Sequence, residues 1–412
     1  MLSRYASLTR DQLATLVPEL LLIGQLIDRS GMAWCISAFG REEMAQIAVE
    51  EWSGASPFYT RRMQRALGYQ GSDVVTIFKG LQLDIGAPPQ FMDFRYTVTD
   101  PQHGEFWLEH CGALMDVEPM GEEYVRSMCH DIEDPTFDAT AVATNDRAQV
   151  RPIHRPPRSS RDQRPHCRWS VVIDDDHEPV SPLAAYYEVE KTRAVTVELD
   201  PIEPGGEGSD DYAGPLVSDL VFGNFSHSAL VRIADEVCLQ MHLLNLSFSI
   251  AVAKRATSTE QAREICTKQL RGIAGIAAER IRAALGLSGD ERGALRLLEL
   301  HPLLNPVAYT GGLVSEAALL VSPSPASADG GWLALIGPGR TTALQAIVRA
   351  ADPYLDVEVE RAAADPDDDT WTLAVVRRDE PAPEPEEVAV TRFSTGATFV
   401  FEPRRSLPLY PV

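Results

Sequence analysis

Along the chain, apolar residues follow two rhythms that change over in a fixed order. Over residues 9–28, 42–67 and 72–83 they recur at helical spacing, which predicts amphipathic helices. Over residues 92–99 and 105–115 the pattern is strand-like. The turn Asp100-Pro101-Gln102-His103-Gly104 between them predicts a hairpin. A helix is expected over about 121–133, stopped before Pro135, with further strands over 168–173 and 194–199. Helices first and hairpin-linked strands after predict an α+β fold and not a βαβ array.

The same order returns in the second half. Residues 8–84 and 225–301 align at an offset of 217–218. Leu13, Leu16, Glu19 and Leu22 meet Leu230, Ile233, Glu236 and Leu239, and Ala66-Leu67-Gly68 meets Ala284-Leu285-Gly286. Further on, Trp107-Leu108 matches Trp332-Leu333, Asp134-Pro135 matches Asp352-Pro353, and Trp169-Ser170-Val171 matches Trp371-Thr372-Leu373. Thr192 to Pro201 matches Thr395 to Pro403. The common order and the near-constant offset predict two tandem copies of one α+β unit, each with N-terminal helices, a mainly antiparallel sheet and one packed helix. The first copy is expected over 1–201, a linker over 202–224 and a second, degenerate copy over 225–412. The stretch 202–215 is rich in Gly, Pro and acid, which suits a linker. The pair is expected to form an internal pseudo-dimer, with homo-oligomerisation left open.

Charge narrows the function classes. The chain has 60 acidic and 37 basic residues and a net charge of -23, so no nucleic-acid partner is expected. The apolar stretches 13–27 and 237–253 are broken by Glu19 or by His242 and Asn245, so no membrane span is expected. No secretory leader is read at the N-terminus, and a cytoplasmic location with reduced thiols is the expectation. Ile336-Gly337-Pro338-Gly339-Arg340 lacks the Gly-Lys-Ser/Thr ending of a phosphate loop, and no dinucleotide fingerprint occurs. No nucleotide cofactor is expected.

Candidate chemistry gathers in the first copy. His110-Cys111, Cys129-His130 and His166-Cys167 fall on three predicted elements that follow one another and are expected to pack together. Thiolates and imidazoles suit zinc or another divalent metal, which makes Cys111, Cys129, His130, His166 and Cys167 candidate ligands. The same set suits a Cys111 nucleophile with His130 as its base. Copy two offers an internal control. There Ile336 stands for Cys111, and Ile347 and Val348 stand for Cys129 and His130, so both thiols also read as core filling; Asp369 stands for Cys167. Copy one also has 33 residues between Pro135 and Trp169 where copy two has 17 between Pro353 and Trp371. This insertion holds Arg147, Arg151, Arg155, Arg158, Arg161, Arg164 and Arg168. Arginine forks bind carboxylate and phosphate, so Arg151, Arg155 and Arg158, with His154, are candidate ligands for a small anionic molecule. A loop docked on an acidic surface explains the same arginines.

From Phe106-Trp107-Leu108-Glu109-His110-Cys111-Gly112, through Met128-Cys129-His130, to Pro165-His166-Cys167-Arg168-Trp169, the chain resembles the L-2-amino-thiazoline-4-carboxylic acid hydrolase-like family. More distantly it is similar to small-ligand domains related to vinyl reductases. The resemblance covers residues 40–175. It implies metal-assisted hydrolysis of a small carboxylated compound, with Cys111, Cys129 and Cys167 at the site by position. Two functions are therefore open. One is a metal- or thiol-dependent, hydrolase-like enzyme acting on a small anionic (carboxylated or phosphorylated) metabolite. The other is a non-enzymatic binding or sensing protein with an apolar pocket between helices and sheet, whose thiols are core or a structural zinc site.

Overall fold

The structure is a computed structural model that describes residues 2–315, 318–362, 370–393, 401 and 404–410. The fold is α+β, with two four-stranded antiparallel sheets flanking a central set of long helices.

Helix α1 (Arg10–Phe39) opens on a capping box in which Thr9 and Gln12 satisfy each other's backbone donors. It runs well past the expected end at Asp28, because the next strong stop signal is Gly40 at φ +88. Then come α2 (Arg41–Ala66) and α3 (Val74–Leu81). Strands β1 (Met92–Asp100) and β2 (His103–Cys111) form the hairpin, followed by α4 (Gly112–Val117). Next are α5 (Glu122–Arg126), α6 (Glu133–Val142), β3 (Ala148–His154), β4 (Cys167–Ile173), α7 (Ala184–Val189) and α8 (Arg193–Thr196). The second half has α9 (His227–Arg255), α10 (Thr259–Leu285), α11 (Glu291–Leu300), α12 (Val307–Thr310), β5 (Leu313–Val314) and β6 (Ala318–Val321). It continues with α13 (Pro325–Asp329), α14 (Trp332–Leu335), α15 (Thr342–Arg349), β7 (Leu355–Ala362), β8 (Trp371–Arg377) and α16 (Glu386–Arg392).

The sheets run β1-β2-β4-β3 and β5-β6-β8-β7, one strand order at two places in the chain. Helices α1 and α9 are buried nearly all round through their middles, which places them at the centre. Helix α1 packs on α9 and α10, and α2 packs on α9. One hydrophobic core therefore runs through both halves. Helix α9 is long and apolar enough to cross a membrane by length and composition, but 83% of that window is buried inside the protein.

Two reciprocal ion pairs tie the halves. Arg62 on α2 grips Glu236 on α9 at 2.8 and 3.2 Å, and Arg280 on α10 reaches Glu19 on α1 at 2.7 Å. Arg62 and Arg280, like Glu19 and Glu236, lie at the offset found in the sequence. Gly54 and Gly272 repeat it. A Cβ on Gly54 would stand 3.0 Å from Ala185 of α7, and one on Gly272 would stand 2.8 Å from the Glu387 carbonyl of α16.

Several local expectations change. The helix does not stop before Pro135. A π-helical turn, Ser127–Ile132, joins α5 to α6, and Pro135 sits in the first turn of α6. A first-turn proline forfeits little, and the widened turn before it accommodates the ring. Strand β2 ends at Cys111, because the Cys111 side chain caps α4 by accepting from Leu114 N at 3.4 Å. Residues 194–199 are no strand. The Asp329 carboxylate, from the second half, accepts from Arg193 N and Ala194 N at 3.0 Å each and starts α8 there. The Arg-rich insertion is not all loop, since it supplies the rest of α6 and β3. Trp332-Leu333 lies on α14 and not on a strand; β6 holds the sheet position. Of the matched segment 395–403, residues 395–400 and 402–403 lie outside the described residues, as does Asp369.

Candidate functional site

The three thiols meet and the imidazoles do not join them. Cys111 ends β2, Cys129 lies on the π-helical turn and Cys167 starts β4, all at most 4% exposed. They lie within electrostatic reach of one another and of Glu133. Burial, then Glu133, pushes the Cys111 thiol up to about 12, and the same two causes in the same order raise Cys129 and Cys167. These are protonated thiols in an apolar setting, the opposite of an activated nucleophile.

Strand alternation separates Cys111 and Cys167 from their His neighbours, because consecutive side chains on β2, and around the start of β4, point to opposite faces. The His110 and His166 rings lie 5.7 Å apart, covered by the insertion. Burial, then Arg164 and Arg158, pushes His166 down to about 3, so it is neutral. Its Nδ1 stands 3.1 Å from Cys111 N, and its Nε2 stands 3.2 Å from an Arg158 nitrogen. A neutral ring has one acceptor nitrogen, so it serves one of these donors and has none to spare for a metal. His130 lies elsewhere, its Nε2 at 2.7 Å from the Pro156 carbonyl. Among the described residues, no three His, Cys, Asp or Glu are disposed to hold a metal ion, and no hydrogen bond joins Cys111 to His130.

Four of the insertion's seven arginines, Arg151, Arg155, Arg158 and Arg168, pair with acids of their own half. Arg158 forks onto Glu118 at 2.9 and 2.6 Å, and its side chain is 2% exposed. Arg151 reaches both Asp138 oxygens at 2.9 Å. Arg155 pairs with Asp134 and lies over the Trp169 ring. Arg147 is held by the Asp175 and His177 carbonyls. His154 ends β3 with Nδ1 buried and unpartnered. The insertion thus folds down as a strand and a loop pinned by these contacts, while Arg161 and Arg164 stay exposed, with Arg164 donating to the Arg161 and Gln163 carbonyls.

The site that sequence reasoning missed lies on the other side of the thiols. A cavity of about 590 Å³ separates α1 and α2 from the first sheet, roofed by α4, α5 and α6. Its walls are mainly apolar, with Met32, Met44, Met92 and Met128 among aromatic neighbours such as Trp52 and Phe137. Methionines suit a wall that must adapt to an occupant. The second half contributes Val390, Thr391 and Phe393 to the rim. A few polar groups interrupt the walls. Arg29 on α1 faces Asp116 at 3.4 Å. Asp84 accepts from the Tyr59 hydroxyl at 2.9 Å and from Gly86 N at 2.7 Å, and burial raises it to about 6. Asp28 accepts from Trp52 Nε1 at 3.4 Å. Glu133 borders both the cavity and the thiols. Its Oε2 is sealed without a partner, and burial, then Asp134, raises it to about 8 despite Arg155.

The signal available in the sequence was Asp28-Arg29, two charges inside an apolar helix face, where burial demands a partner or a ligand. No protein-family model, curated protein or solved structure matches the chain.

Proposed function

We propose that the protein is a receptor for one small, largely apolar molecule, bound in the first-half cavity between the helices and the sheet. The cavity itself carries this reading. Its volume of about 590 Å³ falls within the range of roughly 300–1,000 Å³ common to small-molecule sites, and a few convergent polar groups interrupt apolar walls. A π-helical turn beside it accords with the habit of such turns to mark functional sites. The binding reading is preferred to a hydrolase-like one because burial keeps Cys111 protonated and His130 is engaged by a carbonyl.

The molecule reads as an internal pseudo-dimer in which one half binds and the other supports. The shared strand order, the reciprocal ion pairs and the reciprocal glycine contacts support that assignment. The second half also completes the cavity rim through the end of α16.

The test uses Nile red as an uncharged apolar probe, with the full chain. Stoichiometric binding is expected, and Thr140→Trp on the α6 roof should abolish it while circular dichroism stays unchanged. Absence of binding, or equal binding by the folded variant, would defeat the reading. Native mass spectrometry of freshly purified protein adds a direct look for a retained ligand.

A further inference from the structure

The charges around the cavity do not balance, and the imbalance has one sign. Four carboxyl groups, Asp28, Asp84, Asp116 and Glu133, border it with a single guanidinium, Arg29. Asp116 faces Arg29 as an ion pair at 3.4 Å, although the buried Arg29 Nε and Nη2 make no hydrogen bond among the described residues. Asp84 and Asp28 have neutral donors from Tyr59, Gly86 and Trp52. Glu133 has less. Its Oε2 is buried without a hydrogen-bond partner among the described residues, and the nearby Arg155 is paired with Asp134.

Three classes of ligand end can be compared on this geometry. A carboxylate or phosphate would find the open N–H groups of Arg29, but Asp116 already answers that charge and three further carboxyls border the same low-dielectric space. A wholly apolar end would leave Glu133 unsatisfied, at the cost of a buried polar group. A cationic nitrogen would give Glu133 the donor and the charge it lacks. The cavity also offers rings, Trp52, Tyr124 and Phe137, whose faces attract cations.

We propose, resting on the cavity-binding reading above, that the natural ligand is an apolar amine whose ammonium group pairs with Glu133, its hydrocarbon or aromatic body lying among the methionines. This reverses the anionic ligand that the Arg-rich insertion suggests in the sequence. The three insertion arginines expected to hold an anion, Arg151, Arg155 and Arg158, are paired with Asp138, Asp134 and Glu118, and the carboxyls at the cavity set the preference.

The experiment compares three probes with one phenylbutyl body and different ends: phenylbutylamine, phenylbutanol and phenylbutyrate. Isothermal titration on the full chain gives their affinities. The amine should bind about tenfold or more tighter than the alcohol, and the acid most weakly, as expected for a charge-assisted pair in a buried site. Glu133→Gln, with its thermal unfolding checked, should bring the amine-to-alcohol ratio to within about threefold. Asp28→Asn gives an independent check and should lower the ratio less. Tightest binding by the acid would overturn the proposal and make Arg29 the anchor. Equal affinities, or an unchanged ratio in Glu133→Gln, would overturn the amine assignment and leave the cavity reading standing. Failure of all three probes to bind would overturn both.

Discussion

The two halves share a strand order and a broadly similar helix order, yet the cavity described above lies in the first, and in the second a tryptophan packs over the matching stretch of α9. On α1 the positions facing the cavity are Gln25, Asp28 and Arg29; at the same offset on α9 stand His242, Asn245 and Leu246. In the second half Trp332 of α14 drops onto His242, with ring centroids 5.1 Å apart, and is only 2% exposed. His242 Nε2 lies 3.1 and 3.0 Å from the Pro302 and Asn305 carbonyls. In the first half α4 brings no tryptophan inward. The lesson is that one scaffold can carry a binding site or a solid core, and a single large side chain from a neighbouring short helix makes much of the difference.

The largest expected effect tests that contrast directly. Trp332→Ala should empty a packed position and cost about 3–5 kcal/mol, read from urea unfolding. Trp52→Ala, at a wall that already faces open space, should cost no more than about 1–2 kcal/mol while weakening ligand binding. Equal costs would mean that the two halves are packed alike.

The reciprocal ion pairs give the next contrast. The Arg62 and Glu236 side chains are 7% and 2% exposed, whereas those of Arg280 and Glu19 are 26% and 21% exposed. Arg62→Met leaves Glu236 buried with only Arg232 beside it, and should cost about 3 kcal/mol. Arg280→Met should cost less than about 1 kcal/mol, because solvent screens that pair. Unfolding midpoints of the two variants measure the gap.

A smaller effect separates the cavity by pH. Glu133 is raised to about 8 in the folded chain, so between its ordinary pKa and about 8 the folded state holds more protons than the unfolded state. Stability contributed by the protonated form is therefore present at low pH and lost as pH rises through that window. Glu133→Gln should gain on the parent by on the order of 2–3 kcal/mol between about pH 5.5 and about pH 8.5. Urea midpoints at both pH values decide this; an unchanged difference would mean that Glu133 is solvated. Smallest of all, Arg151→Ala removes a pair whose arginine is 51% exposed, and should change stability by less than about 0.5 kcal/mol. It should leave probe binding unaltered, which would confine the insertion to a structural role at that position.

Much of the scaffold was legible because its signals are local. The hairpin over β1 and β2, the helices α2 and α3, and strand β4 follow from periodicity and turn residues, within a few positions. Three departures had tertiary causes. Pro135 is tolerated by a π-helical turn, α8 is started by Asp329 from the other half, and β3 forms inside an insertion whose arginines looked free. Convergence of the three thiols was legible from element order, but their inert state was not. It comes from burial beside Glu133, a residue to which the sequence pattern assigns no role.

The sequence alone determined what depends on near neighbours: the helical and strand rhythms, the repeated order of elements, the acidic balance and the placing of the cysteines. Only the tertiary structure decided what depends on residues far apart. It matched the insertion's arginines to Glu118, Asp134 and Asp138, and put Trp332 into the space of one half while leaving the other half open. It also set Glu133 in an apolar wall without a partner. The physical reason is that the burial of a charge and the filling of a cavity are sums over many distant neighbours, and no local window of sequence contains them.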